Sequence, residues 1–197
     1  PLVLRGCLKA FKPIQVSIMK INSLAVFCGS KPGNNPSFLK QARDLGHLLA
    51  ANNITLIYGG SKKGIMAAVA NGVLEKDGKV IGIIPKALTE WEHQHDGITE
   101  LIIVETMHIR KLMLYEKCDA AIILPGGFGT LDELFEMLTW NQLSIHDKQI
   151  FILNTEGFYD HLIAHIKQMQ SENFLYERAH DKLVILKTVE EMNAYLQ

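Results

Sequence analysis

Pro125-Gly126-Gly127-Phe128-Gly129-Thr130-Leu131-Asp132-Glu133 is the stretch on which the reading of the fold turns. Before it stands Ala120-Ala121-Ile122-Ile123-Leu124, an unbroken apolar run of the kind that forms a strand buried on both faces. After it, Leu131, Leu134, Phe135 and Leu138 recur at helical spacing. The segment therefore reads as strand, tight glycine turn and helix. Gly126, Gly127 and Gly129 let the backbone approach a ligand closely, and unpaired N–H groups at the helix start suit an anion. Thr130 is placed as a helix cap or a hydroxyl for phosphate. Glu133 is placed in the first turn, where the helix dipole favours an ionised carboxylate. Glycine turns also join strands to helices where no anion binds, so the turn alone leaves both readings open. It is not the dinucleotide fingerprint, which needs G-x-G-x-x-G after the first strand and an acid ending the second. Here the second strand ends in Tyr58.

The rest of the chain repeats the alternation. Ser23 to Cys28 is a buried strand, followed by a loop with Pro32, Gly33 and Pro36. A helix from Pro36 to about Asn52 carries Leu39, Ala42, Leu45, Leu48 and Leu49 on one side. Thr55–Tyr58 is a strand broken by Gly59-Gly60, and a helix starts near Gly64. Lys79 to Ile84 is the third strand, stopped by Pro85, and Lys86 to Gly97 is a polar loop. Leu101–Val104 is a strand, Met107 to Cys118 a helix, and Ala120 to Leu124 the fifth strand. Then follow a helix to about Leu143, a strand Gln149–Leu153, a helix Tyr159 to Glu172, a short strand Leu183–Leu186 and a closing helix Glu190 to Leu196. Strands and helices alternating through short turns predict an α/β fold: a parallel sheet, covered on both faces, in three α-β-α layers. Ligands of such sheets bind outside the carboxyl ends of the strands, and the glycine turns all fall at that edge.

Two more turns share that edge. Tyr58-Gly59-Gly60-Ser61-Lys62-Lys63-Gly64 again sets glycines and N–H groups at a helix start, with lysines nearby; a solvated loop is the plain alternative. Cys28-Gly29-Ser30 is the third, and no partner histidine marks its cysteine as a nucleophile. Arg110-Lys111 falls in the first turn of a helix, where cations oppose the dipole by roughly 0.3–1 kcal/mol each. A bound anion would reverse that sign, and Arg grips phosphate with two parallel hydrogen bonds. The alternative is that both side chains bend away into water.

These runs are similar, in order and spacing, to those of the Lonely guy family, the cytokinin riboside 5′-monophosphate phosphoribohydrolases, many of which carry the older label "lysine decarboxylase-like". PGGFGTLDE resembles the family's PGGxGTxxE. Phe27-Cys28-Gly29-Ser30 resembles its first-strand signature, and Tyr58-Gly59-Gly60 with Gly64 and Met66 resembles YGGG-x-x-G-x-M. Pro85-Lys86-x-Leu88, Met107-His108-x-Arg110-Lys111 and Thr139-Trp140-x-Gln142-Leu143 resemble further runs. The resemblance extends from about Ile21 to Phe174. Ser61 departs from it, standing where the family usually has a third glycine.

The resemblance implies a Rossmann-like doubly wound sheet and hydrolysis of the N-glycosidic bond of a nucleoside 5′-monophosphate, AMP or an N6-substituted relative. In that family the Arg of the M-H-x-R-K run and the final Glu of PGGxGTxxE form the catalytic pair, which implies Arg110 and Glu133 here. It implies substrate contacts for Gly29, Ser30, Gly59, Gly60, Met107, Lys111, Pro125, Gly126, Gly127, Gly129 and Thr130. A family Glu in the loop before the fourth strand falls on Glu92. No cofactor or metal is implied, and a homodimer is, with the helix bearing Leu134, Met137 and Leu138 as the contact; core packing explains the same residues. Two rival functions stand beside hydrolysis. One is a non-catalytic nucleotide or cofactor carrier. The other is decarboxylation, which would need a pyridoxal phosphate lysine whose context is not recognisable.

The 197 residues suit one domain, with 48% hydrophobic and 21% charged residues. A formal net charge of −1 gives no basic field for nucleic acid or anionic membrane. No apolar run has membrane-spanning length. Cys7, Cys28 and Cys118 are an odd count without metal-type spacing, which suits a cytoplasmic, reducing setting. Residues 1–18 are expected to be a leader or extension ahead of one nucleotide-binding hydrolase domain over residues 19–197. His93 and His95 lack the further spaced ligands a metal site needs. His108, beside Arg110, could contact substrate; His146, His161 and His165 read as surface residues. Trp91 and Trp140 read as packing.

Overall fold

The computed structural model describes residues 20–89, 93–176 and 182–196. The expected leader, Cys7, Trp91 and Glu92 lie outside the described residues. The apolar runs form seven strands, β1 (Ser23–Phe27), β2 (Thr55–Tyr58), β3 (Val80–Pro85), β4 (Glu100–Val104), β5 (Ala120–Ile123), β6 (Gln149–Leu153) and β7 (Leu183–Leu186). Between them lie α1 (Pro36–Ala51), α2 (Gly64–Leu74), α3 (Met107–Glu116), α4 (Phe128–Gln142) and α5 (Asp160–Ser171). The strands make one sheet in the order β4-β3-β2-β1-β5-β6-β7, every pair parallel. The chain winds outward from β1 to β4, then crosses back to lay β5 on the other side of β1. That reversal makes the carboxyl ends of β1 and β5 the crevice of the sheet.

Strand residues alternate between two cores. Leu24 and Val26 of β1 pack with Leu45 and Leu49 of α1 and Val69 and Val73 of α2. Ala25 and Phe27 pack with Leu114 and Tyr115 of α3 and Leu134 and Met137 of α4. The three layers follow from this alternation. Leu134 and Met137 are fully buried against the sheet, so they belong to the core rather than to a contact between copies; Leu138 packs beside them.

Local chemistry sets the element ends. Asn35 caps α1, its side chain accepting the Ser37 N–H at 2.9 Å, and Pro36 opens the helix. The helix expected to reach Cys118 ends at Glu116, because the chain must turn into β5. Lys148 Nζ donates to the carbonyls of Tyr115, at 2.6 Å, and Cys118, supplying a cation at the helix end. The polar loop after β3 begins with a 3-10 turn, Lys86–Leu88, and the closing helix is a 3-10 segment, Glu190–Tyr195.

Helices α1 and α2 touch backbone to backbone. A Cβ added at Gly46 would meet the Val69 carbonyl, and the Val73 nitrogen at 2.7 Å. Neither can retreat without breaking helix hydrogen bonds. Gly46→Val should therefore overpack the crossing by about 1–3 kcal/mol. At this chain size that lowers Tm by roughly 2–12 °C in a circular-dichroism melt.

Candidate functional site

At the crevice the first turn is held by its own backbone. Gly29 N–H donates to the Pro125 carbonyl at 3.0 Å, and Leu124 N–H to the Phe27 carbonyl at 3.0 Å, so β1 and β5 stay joined past their ends. The Gly29 carbonyl then accepts from Ile65 N–H at 3.1 Å and Met66 N–H at 3.3 Å. The start of α2 is thus capped by the main chain of the first turn. Lys62 N–H goes to the His93 carbonyl at 3.0 Å, and Lys63 N–H to Ser61 Oγ at 3.3 Å. Of the two readings of this turn, the plain loop is favoured over an open anion cradle, because the Lys62, Lys63, Ile65 and Met66 N–H groups are spent on the protein. Ser61, the departure from the family pattern, is fully buried and does its capping on Lys63.

The third turn differs. Gly127 is the N-cap of α4 and no side chain caps it; a Cβ at Gly127 or Gly129 would meet nothing within 4 Å. Gly126 is crowded instead. A Cβ there would strike the Thr130 side chain and come within 2.9 Å of the Gly29 nitrogen. Only a glycine lets the turn fold onto β1. Two expectations are corrected. Thr130 is a buried residue inside the helix rather than its cap, because α4 begins immediately after Gly127. For the same reason Glu133 falls in the second turn, where the dipole acts less on it. Glu133 is half-buried, and its charge reaches β1. Burial first, and then the Glu133 carboxylate, push the Cys28 thiol far above its usual range. That thiol stays protonated and is no nucleophile.

Arg110 is the fourth residue of α3, just past the N-cap Thr106, whose hydroxyl accepts the Ile109 N–H at 3.2 Å. Its side chain runs inward and is only 5% exposed. Nε donates to the Ile83 carbonyl at 3.0 Å and a terminal nitrogen to the Gly59 carbonyl at 3.3 Å. Gly59 is needed for this, since a Cβ would overlap the guanidinium. Among the described residues no carboxylate forms an ion pair with Arg110. The alternative of a cation bending into water does not hold for it. Two of its five donors are taken by carbonyls, and a buried charge of this kind is stabilised by an opposite one.

Lys111 goes another way. Its ammonium lies 2.9 Å from Asp132 and 2.7 Å from Glu136, both on α4. Partial burial lowers its pKa, but hydrogen bonds to Glu136 and Asp132 more than offset this and hold it above the usual lysine value. Met107 is exposed at the start of α3, Pro125 is buried and Ser30 half-buried. The loop that would carry Glu92 is strapped to the second turn: Ser61 bridges Gln94, and His95 N–H donates to the Gly60 carbonyl at 2.9 Å. A cavity lined by Lys62, Thr89, His93 and Gln94 opens beside this strap. Among the described residues no cluster of His, Cys, Asp and Glu could hold a metal ion.

The class these features define is an α/β protein whose crevice, at the reversal point of a parallel sheet, holds an uncapped helix start and a buried arginine. Residues 66–196, more than half of the chain, match the family model described as "Possible lysine decarboxylase". A cytokinin riboside 5′-monophosphate phosphoribohydrolase of Rhodococcoides fascians is 38% identical over 169 residues, 85% of this chain and 85% of that one. A protein of the same name from Arabidopsis thaliana is 41% identical over 173 residues, 88% of this chain and 80% of that one. The chain belongs to this family, the Lonely guy family that its motifs resemble. Among solved structures, the molybdenum cofactor binding protein of Rippkaea orientalis matches with TM-score 0.66 at 23% identity, over 90% of this chain and 96% of that one. The Moco carrier protein of Chlamydomonas reinhardtii matches with TM-score 0.66 at 18% identity, over 89% and 94%. At such identity the two establish the fold alone.

One feature that sequence spacing did not flag is the state of His95. Its Nε2 faces Asn71 Oδ1 at 3.1 Å and its Nδ1 accepts the Gly97 N–H at 3.3 Å, so the ring is neutral. Burial, then the Lys62 charge, lower its pKa below 6.5. The unfolded chain therefore takes the proton more readily. The stabilising contribution is complete above the ordinary histidine value and is lost as pH falls through the lowered folded value. On going from about pH 7.5 to about pH 5, the wild type should lose more melting temperature than His95→Gln.

Proposed function

We propose that the chain hydrolyses the N-glycosidic bond of a nucleoside 5′-monophosphate of the AMP or N6-substituted type, as the names of its relatives at about 40% identity suggest. Water adds its oxygen to C1′, the bond from C1′ to the base nitrogen breaks, and a proton goes to the base. The products are free base and ribose 5-phosphate. The observation that carries this reading is Arg110, a buried guanidinium facing the sheet ends without a carboxylate partner among the described residues.

In this reading the open start of α4, with Gly127 and Gly129, takes the 5′-phosphate on its backbone N–H groups, and Thr130 and Gly126 fix the shape of that turn. Arg110 neutralises negative charge on the substrate. Glu133, over the end of β1, stabilises the oxocarbenium-like sugar or activates the water, as carboxylates do in glycoside hydrolysis. Gly29, Gly59 and Gly60 form the floor through their backbone. Decarboxylation finds little support: a Schiff-base lysine needs a lowered pKa, and that of Lys111 is raised. The carrier reading rests on neighbours that share the fold alone.

The protein in this reading is a cytoplasmic homodimer. Its two described cysteines, Cys28 and Cys118, are buried free thiols, in keeping with a reducing setting. Apolar side chains left exposed on α3 (Met107, Ile109, Leu112) and α4 (Phe128, Phe135) supply the contact, Phe128 being 93% exposed. Light scattering on the purified chain should give twice the monomer mass, and Phe128→Asp with Leu112→Asp should shift it to the monomer.

The direct test is release of free base from AMP and, separately, from N6-isopentenyl AMP. Glu133→Gln should lower kcat by roughly 10²–10⁴-fold. Arg110→Ala should abolish release, and Gly59→Ala should impair it strongly by displacing the guanidinium. Unchanged turnover in Glu133→Gln would sink this reading. Nucleotide-induced stabilisation without any base release would favour a carrier.

A further inference from the structure

Lys111 and Tyr115 stand four residues apart on α3, and Asp132 and Glu136 four apart on α4. At that spacing each pair shares one face of its helix. The two faces meet. Lys111 Nζ lies 2.7 Å from Glu136 and 2.9 Å from Asp132, and Tyr115 donates its hydroxyl to the same Glu136 oxygen at 2.6 Å. The Tyr115 ring is itself fixed, edge-on to Phe27 of β1 at 5.9 Å and to Trp140 of α4 at 5.0 Å. Glu136 is therefore gripped by two donors from successive turns of α3, one of them anchored to the central strand.

Each end of this clamp adjoins a residue that the proposed reaction uses. Lys111 follows Arg110, and Asp132 precedes Glu133. Arg110 is already fixed to the sheet through the carbonyls of Ile83 and Gly59. What the clamp adds is the rotation and register of α4 relative to α3. It also argues against Lys111 as a phosphate ligand. One cation held between two carboxylates makes a cluster of net negative charge, which repels a phosphate dianion.

We infer that Lys111 is a positioning residue rather than a phosphate ligand: with Tyr115 it clamps Asp132 and Glu136, and so presents Glu133 over the end of β1. This rests on the reading of Arg110 and Glu133 as the catalytic pair. A displacement of about 1 Å at a reacting group can cost on the order of 10²-fold in rate. Loss of the clamp therefore lowers kcat and leaves the phosphate contacts intact.

The experiment is steady-state base release from AMP by Lys111→Met, Lys111→Arg, Glu136→Gln, Tyr115→Phe and the Lys111→Met/Glu136→Gln double variant. It is run well below each variant's melting temperature, with Glu133→Gln as control. Expected are falls in kcat of about 10–10²-fold for Lys111→Met and Glu136→Gln with KM within about 3-fold, a milder fall for Tyr115→Phe, and recovery in Lys111→Arg. The double variant should be no worse than the poorer single one, since both remove the same clamp. A rise in KM of about 10-fold or more in Lys111→Met at unchanged kcat, with Glu136→Gln silent, would make Lys111 a substrate ligand and overturn the inference. Wild-type kcat in all the clamp variants would overturn it too. If Glu133→Gln also retained full turnover, the catalytic assignment itself would fall; if that variant alone were dead, only the clamp would.

Discussion

The main chain of Gly29 holds the crevice together. Its N–H reaches across to the Pro125 carbonyl, and its carbonyl receives two N–H groups from the start of α2. One residue thereby ties β1 to the turn after β5 and to the helix after β2. The three glycine turns are not equivalent as a result. The first is a brace, the second is consumed by that brace and by the loop strapped over it, and the third alone keeps an uncapped helix start. Since an unpaired N–H group demands a partner, using up one set of donors leaves the start of α4 as the place on this edge where such a partner is still wanted.

Steric economy at the glycines has the same logic. Gly126 and Gly59 are required not because their own dihedral angles are unusual but because another group occupies the space a Cβ would take. For Gly126 that group is the Thr130 side chain, and for Gly59 it is the Arg110 guanidinium. In both places the backbone itself becomes the wall of the site. A carbonyl such as that of Gly59 or Ile83 gives a cation a hydrogen bond without giving it a compensating charge. Arg110 is thus held in place yet left electrostatically incomplete among the described residues.

The fold was largely legible in the sequence, because a sheet buried on both faces must read as apolar runs and its turns must carry glycine. β2, β6 and β7 begin and end where their apolar runs do. The places where reading failed share one cause. Spacing sets Thr130 at the cap or on a phosphate and Glu133 in the first turn, whereas α4 begins at Phe128 and makes them its third and sixth residues; the glycine run hides that start. Gly59-Gly60-Ser61 leaves cradle and plain loop both open, because nothing in it reveals that a carbonyl thirty-odd positions away in the chain caps α2. Leu134 and Met137 fit a partner contact or the core equally by spacing, and the core holds them, because a helix packed on a sheet turns its most apolar stripe inward. Local pattern carries local structure, whereas the ownership of each donor and each face is settled only by the tertiary arrangement.

Arg110 and Lys111 show how sharply such ownership can divide neighbours. Successive helix residues point about 100° apart, so two cations side by side in sequence meet different surroundings. The inward one meets carbonyls at the sheet edge, the outward one a pair of carboxylates on α4. A guanidinium suits the first place: it keeps its charge when buried, and its rigid fork can serve carbonyls and a ligand at once. A compact ammonium on a flexible stem suits the second, where it can reach two acceptors on successive turns. The dipeptide therefore meets two needs with one stretch of helix, a guanidinium held at the sheet edge and an ammonium bridging two carboxylates of α4.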